Sequence, residues 1–196
     1  FQKQKGFSFS LVQLLIVITA YYSLNNEPLP NYSSYTLDEF ANLFKFILLI
    51  GSLIIFHYTY KHLRFLKILK MEYFTISLLG LIGTMIMISA NSLLMLYLGI
   101  ELLSLSLYAL IGFNKQSSLS SEAAIKYYVL GAMSSGILLF GISLIYGFTG
   151  SITYDGIASQ LININMNSVD YIAIIFGLIF ITASLCFKFG AAPFHM

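Results

Sequence analysis

The chain has 196 residues, of which 58% are hydrophobic and 9% charged, and its formal net charge is +2 at pH 7. This composition is typical of an integral membrane protein and excludes a soluble enzyme domain or a nucleic-acid-binding protein as its class. Cys186 is the only cysteine, so this chain alone cannot form a disulfide, a zinc cluster or an iron–sulfur cluster.

Six apolar stretches predict six membrane-spanning helices, and they lie at residues 7–22, 40–58, 73–88, 92–112, 123–146 and 171–189. We therefore expect an all-α fold, a polytopic transmembrane helical bundle that forms one domain over residues 1–196. The last span should be discontinuous, because Gly190 and Pro193 interrupt helical geometry beside Lys188. The connection at residues 148–169 is compatible with either a hairpin or a short helix.

Charges segregate between the connections. If the spans alternate in direction, one side receives the basic residues Lys3, Lys5, Lys61, Arg64, Lys67, Lys70 and Lys115. The opposite connections carry the acidic residues Glu27, Asp38, Glu39, Asp155 and Asp170. The positive-inside rule then places the first residue and the basic connections on the matrix or cytoplasmic side.

Glu101 lies in the middle of the fourth apolar stretch. A carboxylate at that depth costs roughly 2.5–3.5 kcal/mol on insertion scales, so it should face a partner or a hydrated cavity rather than lipid. Tyr97, Ser104 and Tyr108 share its helix face by their spacing. The sequence therefore predicts a polar stripe turned toward neighbouring helices.

Three lysines accompany this carboxylate within the spans. Lys188 stands beside the predicted helix break, where broken helices line cavities in transporters, and we expect it to approach Glu101 directly or through one or two waters. Lys126 lies about one turn into the fifth span; small residues there favour close helix packing that would bring it near Glu101, although it could also extend to the interface. We expect Lys45 only to extend its charge to the interface.

Three segments together carry a family resemblance: NSLLMLYLGIELLSLSLYALIGF at residues 91–113, SEAAIKYYVLGAMSSGILLFGISLIYGFTGS at 121–151 and CFKFGAAPFHM at 186–196. They resemble the antiporter-like membrane subunits of respiratory complex I, the proton-translocating NADH:ubiquinone oxidoreductase, and within that family subunit 2. The resemblance is strong from about residue 71 onward and rests on hydrophobic pattern alone before it.

The resemblance implies roles for four residues. Glu101 and Lys188 match the family's glutamate–lysine pair, with Lys188 as a central proton carrier on the discontinuous helix. Lys126 matches a supporting lysine, and His195 matches the histidine after the break. It also implies a proton-translocating subunit that couples electron transfer from NADH to quinone with pumping. This chain would hold no cofactor or metal, and FMN, iron–sulfur clusters and ubiquinone would belong to other subunits.

The implied partners are the other membrane-arm subunits of complex I, including antiporter-like paralogues, and membrane lipids. The implied location is the mitochondrial inner membrane, or alternatively the bacterial plasma membrane. We expect the chain to correspond to roughly the N-terminal half of a full-length member, either as a fragment or as a split-gene product completed by a second chain. Two other classes stay open: a cation/proton antiporter or hydrogenase-type membrane subunit, and a structural membrane protein without transport.

Overall fold

The computed structural model of the chain describes residues 2–25, 34–66, 68–163 and 169–191. Its elements in these ranges are helices, namely α1 Gln2–Asn25, α2 Glu39–Phe65, α3 Glu72–Ile88, α4 Leu93–Ile111, α5 Ser118–Thr149, α6 Tyr154–Asn163 and α7 Val169–Lys188. The predicted all-α bundle is confirmed.

All six predicted spans are helical, but they differ in length. Four helices are long and apolar enough to cross a membrane, and these are α2, α4, α5 and α7. The apolar parts of α1 and α3, Phe9–Ser23 and Glu72–Ile88, are shorter. These two helices correspond to the two shortest predicted spans, at residues 7–22 and 73–88. The connection after α5 forms the short helix α6, which decides between the two alternatives that the sequence left open.

The two ends of the bundle carry different charges. At one end the ring of Tyr73 stacks edge-on against Phe113 at 5.3 Å, and Lys70 Nζ lies 5.9 Å from the Phe113 ring, so the α2–α3 and α4–α5 connections meet there. We call this the basic end. At the opposite end, isolated backbone bridges join Tyr35 to Ala90 and residue 92 to residue 153. Asp38, Glu39 and Asp155 belong to these connections, and we call this the acidic end.

Glycines allow the helices to approach closely. A Cβ atom at Gly83 of α3 would lie 2.8 Å from the backbone nitrogen of Leu103 and 2.9 Å from the carbonyl oxygen of Gly99. Between α5 and α7, a Cβ at Gly141 would lie 2.7 Å from the carbonyl oxygen of Gly177. The backbones of α4 and α7 are therefore held in close contact with α3 and α5, as in other small-residue membrane interfaces.

Helix α7 ends at Lys188 through a defined cap. Gly190 has a φ of 65°, its N–H bonds the carbonyl of Phe187, and the N–H of Ala191 bonds the carbonyl of Cys186. This pair of hydrogen bonds around a left-handed glycine is the Schellman motif. The predicted interruption beside Lys188 is confirmed at Gly190, whereas Pro193 and any continuation of the helix lie outside the described residues.

Substitution of Gly83 by alanine should destabilise the α3–α4 contact, because the added methyl group meets backbone atoms that cannot turn away. Overpacking of this kind costs about 1–3 kcal/mol. Gly136→Ala is the matched control, since a Cβ there meets nothing within 4 Å. Thermal unfolding in detergent or nanodiscs measures both variants. Equal unfolding temperatures for Gly83→Ala and Gly136→Ala would contradict the packing described.

Candidate functional site

Three helices bring one carboxylate, one ammonium and one hydroxyl together. Glu101 comes from α4, Ser135 from α5 and Lys188 from the last turn of α7. The Ser135 hydroxyl donates to Glu101 Oε2 at 2.6 Å, and Lys188 Nζ donates to Ser135 Oγ at 3.0 Å. Lys188 Nζ lies 3.9 Å from Glu101 Oε2. Ser135 thus bridges the two charges.

Lys188 has further stabilising neighbours. Its Nζ donates a second hydrogen bond to Ser104 Oγ at 2.9 Å. Ser104 lies on α4, close to one helical turn after Glu101, so both side chains reach the same ammonium. The ammonium also stands at the C-terminus of α7, where the partial negative charge of the helix dipole favours a cation.

The charged pair lies largely inside the bundle. The Lys188 side chain is 14% exposed and that of Glu101 is 25% exposed. Removing each ion from water costs several kcal/mol even after relaxation, and a nearby opposite charge with hydrogen bonds offsets that cost. The arrangement therefore depends on both partners, and the loss of either would leave a largely buried charge without its counterion.

A cavity of about 360 Å³ adjoins this site. Most of its wall is apolar, and its polar lining residues include Ser104, Tyr108, Tyr127 and Lys188. Such a volume has room for roughly ten water molecules, and hydroxyl and ammonium groups supply the partners that buried waters need. The cavity therefore has the volume and the polar groups to hold water against Lys188.

The predicted approach of Glu101 and Lys188 is confirmed, with the Ser135 hydroxyl between them. Ser104 of the predicted stripe reaches Lys188, and Tyr108 packs over Gly131 of α5. His195 lies outside the described residues.

The expected approach of Lys126 to Glu101 is corrected. Lys126 Nζ pairs with Glu122 at 2.5 Å across one turn of α5, and both side chains are more than half exposed. It also lies nine residues before Ser135, about 13 Å along the helix axis, which explains why helix packing does not bring it to the site. Its role in proton transfer stays a prediction.

Sequence reasoning missed two features. It read the small residues around Ser135 as packing alone, although a hydroxyl in a membrane helix opposite a carboxylate is a signal for a hydrogen bond between helices. It also expected Lys45 to reach the interface. Lys45 is only 4% exposed and donates to the Tyr35 hydroxyl at 3.1 Å, because the connection before α2 folds over it.

The chain is similar to known membrane proteins in both sequence and fold. A family model described as NADH:quinone oxidoreductase/Mrp antiporter, transmembrane, matches residues 90–196. Among curated relatives, NADH-quinone oxidoreductase subunit N of Ruthia magnifica is 42% identical over 98% of this chain and 40% of the relative. Subunit N 1 of Rhizobium meliloti is 45% identical over 81% of this chain and 32% of the relative. The chain therefore spans well under half the length of these relatives.

Two solved structures are similar in fold. A chain of respiratory complex I from Thermus thermophilus with bound aureothin superposes with a TM-score of 0.74 at 24% identity, over 97% of this chain and 40% of that one. A chain of the membrane-bound sulfane sulfur reductase, an archaeal respiratory membrane complex, superposes with a TM-score of 0.79 at 25% identity, over the same shares.

Substitution of Ser135 by alanine should destabilise the α4–α5–α7 contact, because it removes one hydrogen bond from each of two charged groups. Hydrogen bonds to charged groups are worth about 1.5–3 kcal/mol each. The control is Ser143→Ala, since Ser143 is exposed and bonds only the carbonyl of Phe140 in its own helix. Thermal unfolding in detergent or nanodiscs measures both variants. Equal unfolding temperatures for Ser135→Ala and Ser143→Ala would contradict the bridging role.

Proposed function

The chain belongs to the NADH:quinone oxidoreductase/Mrp antiporter transmembrane family, and from that membership we propose that it is the proton-translocating part of subunit 2 of NADH:quinone oxidoreductase. In this role it couples electron transfer from NADH to quinone with proton movement through Glu101 and Lys188. The observation that carries the proposal is the hydroxyl bridge between these two charges, at 2.6 Å and 3.0 Å from Ser135.

The geometry suggests how a proton moves within the pair. Lys188 can give a proton to Ser135 Oγ while the Ser135 hydroxyl proton passes to Glu101 Oε2, along hydrogen bonds that already point in that direction. One N–H bond and one O–H bond break while two O–H bonds form, leaving a neutral amine and a neutral acid. Each partner's proton affinity depends on the other's charge, so a charge moved nearby changes both.

The adjoining cavity supplies the exchange with water. Lys188 lines it, and Ser104 and Tyr108 add hydroxyl groups along the wall. We propose that water in this cavity exchanges protons with the pair. We propose that Lys126 and His195 act as further proton carriers on the way to and from the pair.

A hydrogenase-type or cation/proton antiporter subunit is the second candidate. It is favoured by the description of the matching family, which covers Mrp antiporters beside NADH:quinone oxidoreductase. The curated relatives favour the first candidate, because they are NADH-quinone oxidoreductase subunits N at 42–45% identity. Co-purification with quinone-reducing activity and iron–sulfur subunits distinguishes the two.

The redox chemistry is proposed to reside elsewhere. FMN, iron–sulfur clusters and ubiquinone would be held by partner subunits, and this chain would respond to them only through charge and conformation.

The proposed neighbours are the other membrane-arm subunits, membrane lipids and a segment or second chain that supplies the remaining length. We propose that the chain lies in a bacterial plasma membrane or a mitochondrial inner membrane, with its basic end on the cytoplasmic or matrix side.

Substitution of Glu101 or Lys188 by glutamine should slow proton uptake and coupled NADH oxidation together, because each removes one charge of the pair. The matched control is Lys61→Gln, which removes an exposed charge at the basic end. The assay is proton uptake into proteoliposomes alongside NADH oxidation by the intact complex. Electron transfer in isolated redox subunits should be unchanged. Assembled Glu101 and Lys188 variants that pump at the unaltered rate would overturn the proposal.

A further inference from the structure

A second lysine lies buried at the acidic end, away from the Glu101 site. Lys45 belongs to the second turn of α2, about 9 Å along the axis from the start of that helix. It is 4% exposed within this chain alone, so further subunits can only bury it more. A charged group this deep is rarely retained for packing, because burial of an ion costs several kcal/mol.

The ammonium of Lys45 is covered by one aromatic residue. Its Nζ donates to the Tyr35 hydroxyl at 3.1 Å and lies 5.1 Å from the centre of the same ring. Within the described part of the chain, no carboxylate lies within ion-pairing distance of it. The acidic groups nearest in sequence, Asp38 at the N-cap and Glu39 in the first turn of α2, are exposed.

Tyr35 is held in place by its backbone. It forms an isolated bridge with Ala90, and the N–H of Thr36 donates to the carbonyl of Ser89 at 3.0 Å. Ser89 and Ala90 belong to the short connection that leads into α4, the helix that carries Glu101. Tyr35 is itself only half-buried. Tyr35 is therefore the more accessible residue of the pair, since Lys45 is only 4% exposed.

The environment of Tyr35 lowers the pKa of its phenol. Burial by itself raises the pKa of Tyr35, but the neighbouring Ser89 hydroxyl and the Lys45 ammonium lower it, and the net pKa of Tyr35 lies below its ordinary value. An acidified phenol with a hydrogen bond from an ammonium is a suitable group for passing a proton onward.

We propose that Lys45 and Tyr35 form a proton-exchange site that opens toward the acidic end of the bundle, a second proton-handling site within the proposed function. Lys45 gives a proton to the phenol oxygen of Tyr35 while the phenol's own proton leaves to water at the surface. One N–H bond and one O–H bond break and two O–H bonds form. Lys45 becomes a neutral amine, and reversal of the step restores it.

Lys45→Arg separates proton exchange from a structural role. Arginine keeps the positive charge and can donate to Tyr35, but it does not release its proton at accessible pH. Tyr35→Phe keeps the ring and removes the accepting oxygen. The control is Lys61→Arg, because Lys61 is exposed at the basic end. All variants are tested in the intact complex, reconstituted in proteoliposomes, with assembly checked by native gel electrophoresis.

We expect Lys45→Arg and Tyr35→Phe to lose proton uptake and coupled NADH oxidation, and to change the dependence of the rate on the pH of the acidic side. Lys61→Arg should behave as the unaltered protein. Uptake at the unaltered rate and with the unaltered pH profile in Lys45→Arg would overturn the proposal, because arginine would have rescued a purely structural contact. If Lys45→Arg does not assemble, Tyr35→Phe decides by the same two readouts.

The result for Glu101→Gln distinguishes this inference from the proposed function. If Glu101→Gln slows pumping while Lys45→Arg and Tyr35→Phe do not, only the second site is wrong. If Glu101→Gln also pumps at the unaltered rate, the proposed function itself has failed.

Discussion

The structure depends on one requirement, that a carboxylate and an ammonium inside an apolar bundle remain close enough to stabilise each other. Glu101 and Lys188 come from helices far apart in sequence, and they meet only because α4, α5 and α7 pack side by side. Either charge without the other would carry a desolvation cost of several kcal/mol that no opposite charge offsets. Ser135 fills the remaining gap with a group that both donates and accepts.

Close packing between helices fixes the position of Lys188 relative to Glu101. Gly141 and Gly177 bring the backbones of α5 and α7 together, and the hydroxyls of Ser134 and Ser184 lie 2.9 Å apart across the same contact. The cap at Gly190 then ends α7 directly after Lys188, so its ammonium stands at a helix terminus beside a cavity. At the acidic end, Tyr35 is positioned over Lys45 by a backbone bridge to Ala90, which joins the connection before α2 to the connection before α4.

The helices and the charged pair could be predicted from sequence, because the interactions that determine them involve residues close together in the chain or single residues of unusual character. Apolar length predicts a helix, and an isolated charge in a span predicts a partner of opposite sign, which is how Glu101 and Lys188 were matched. Gly190 likewise predicts an interruption from its own conformational freedom. Each of these inferences needs only a residue and its near neighbours in the chain.

What escaped prediction depends on contacts distant in sequence. A serine among small residues is compatible with packing and with bridging, and the positions of α4 and α7 decide between the two. Lys45 would reach the interface if the connection before α2 lay elsewhere, but that connection pairs with residues before α4 and covers it. Lys126 lies about 13 Å along the axis of α5 from Ser135, and it pairs with Glu122 in its own helix.

The most direct test of the central claim is a double-mutant cycle on proton uptake by the intact complex, with Glu101→Gln, Lys188→Gln and the double variant. Residues that act as one unit are strongly non-additive, whereas distant independent sites add. If the pair carries the proton as one unit, the double variant should pump no more slowly than the worse single variant. Independent, multiplying losses in the double variant would contradict the account.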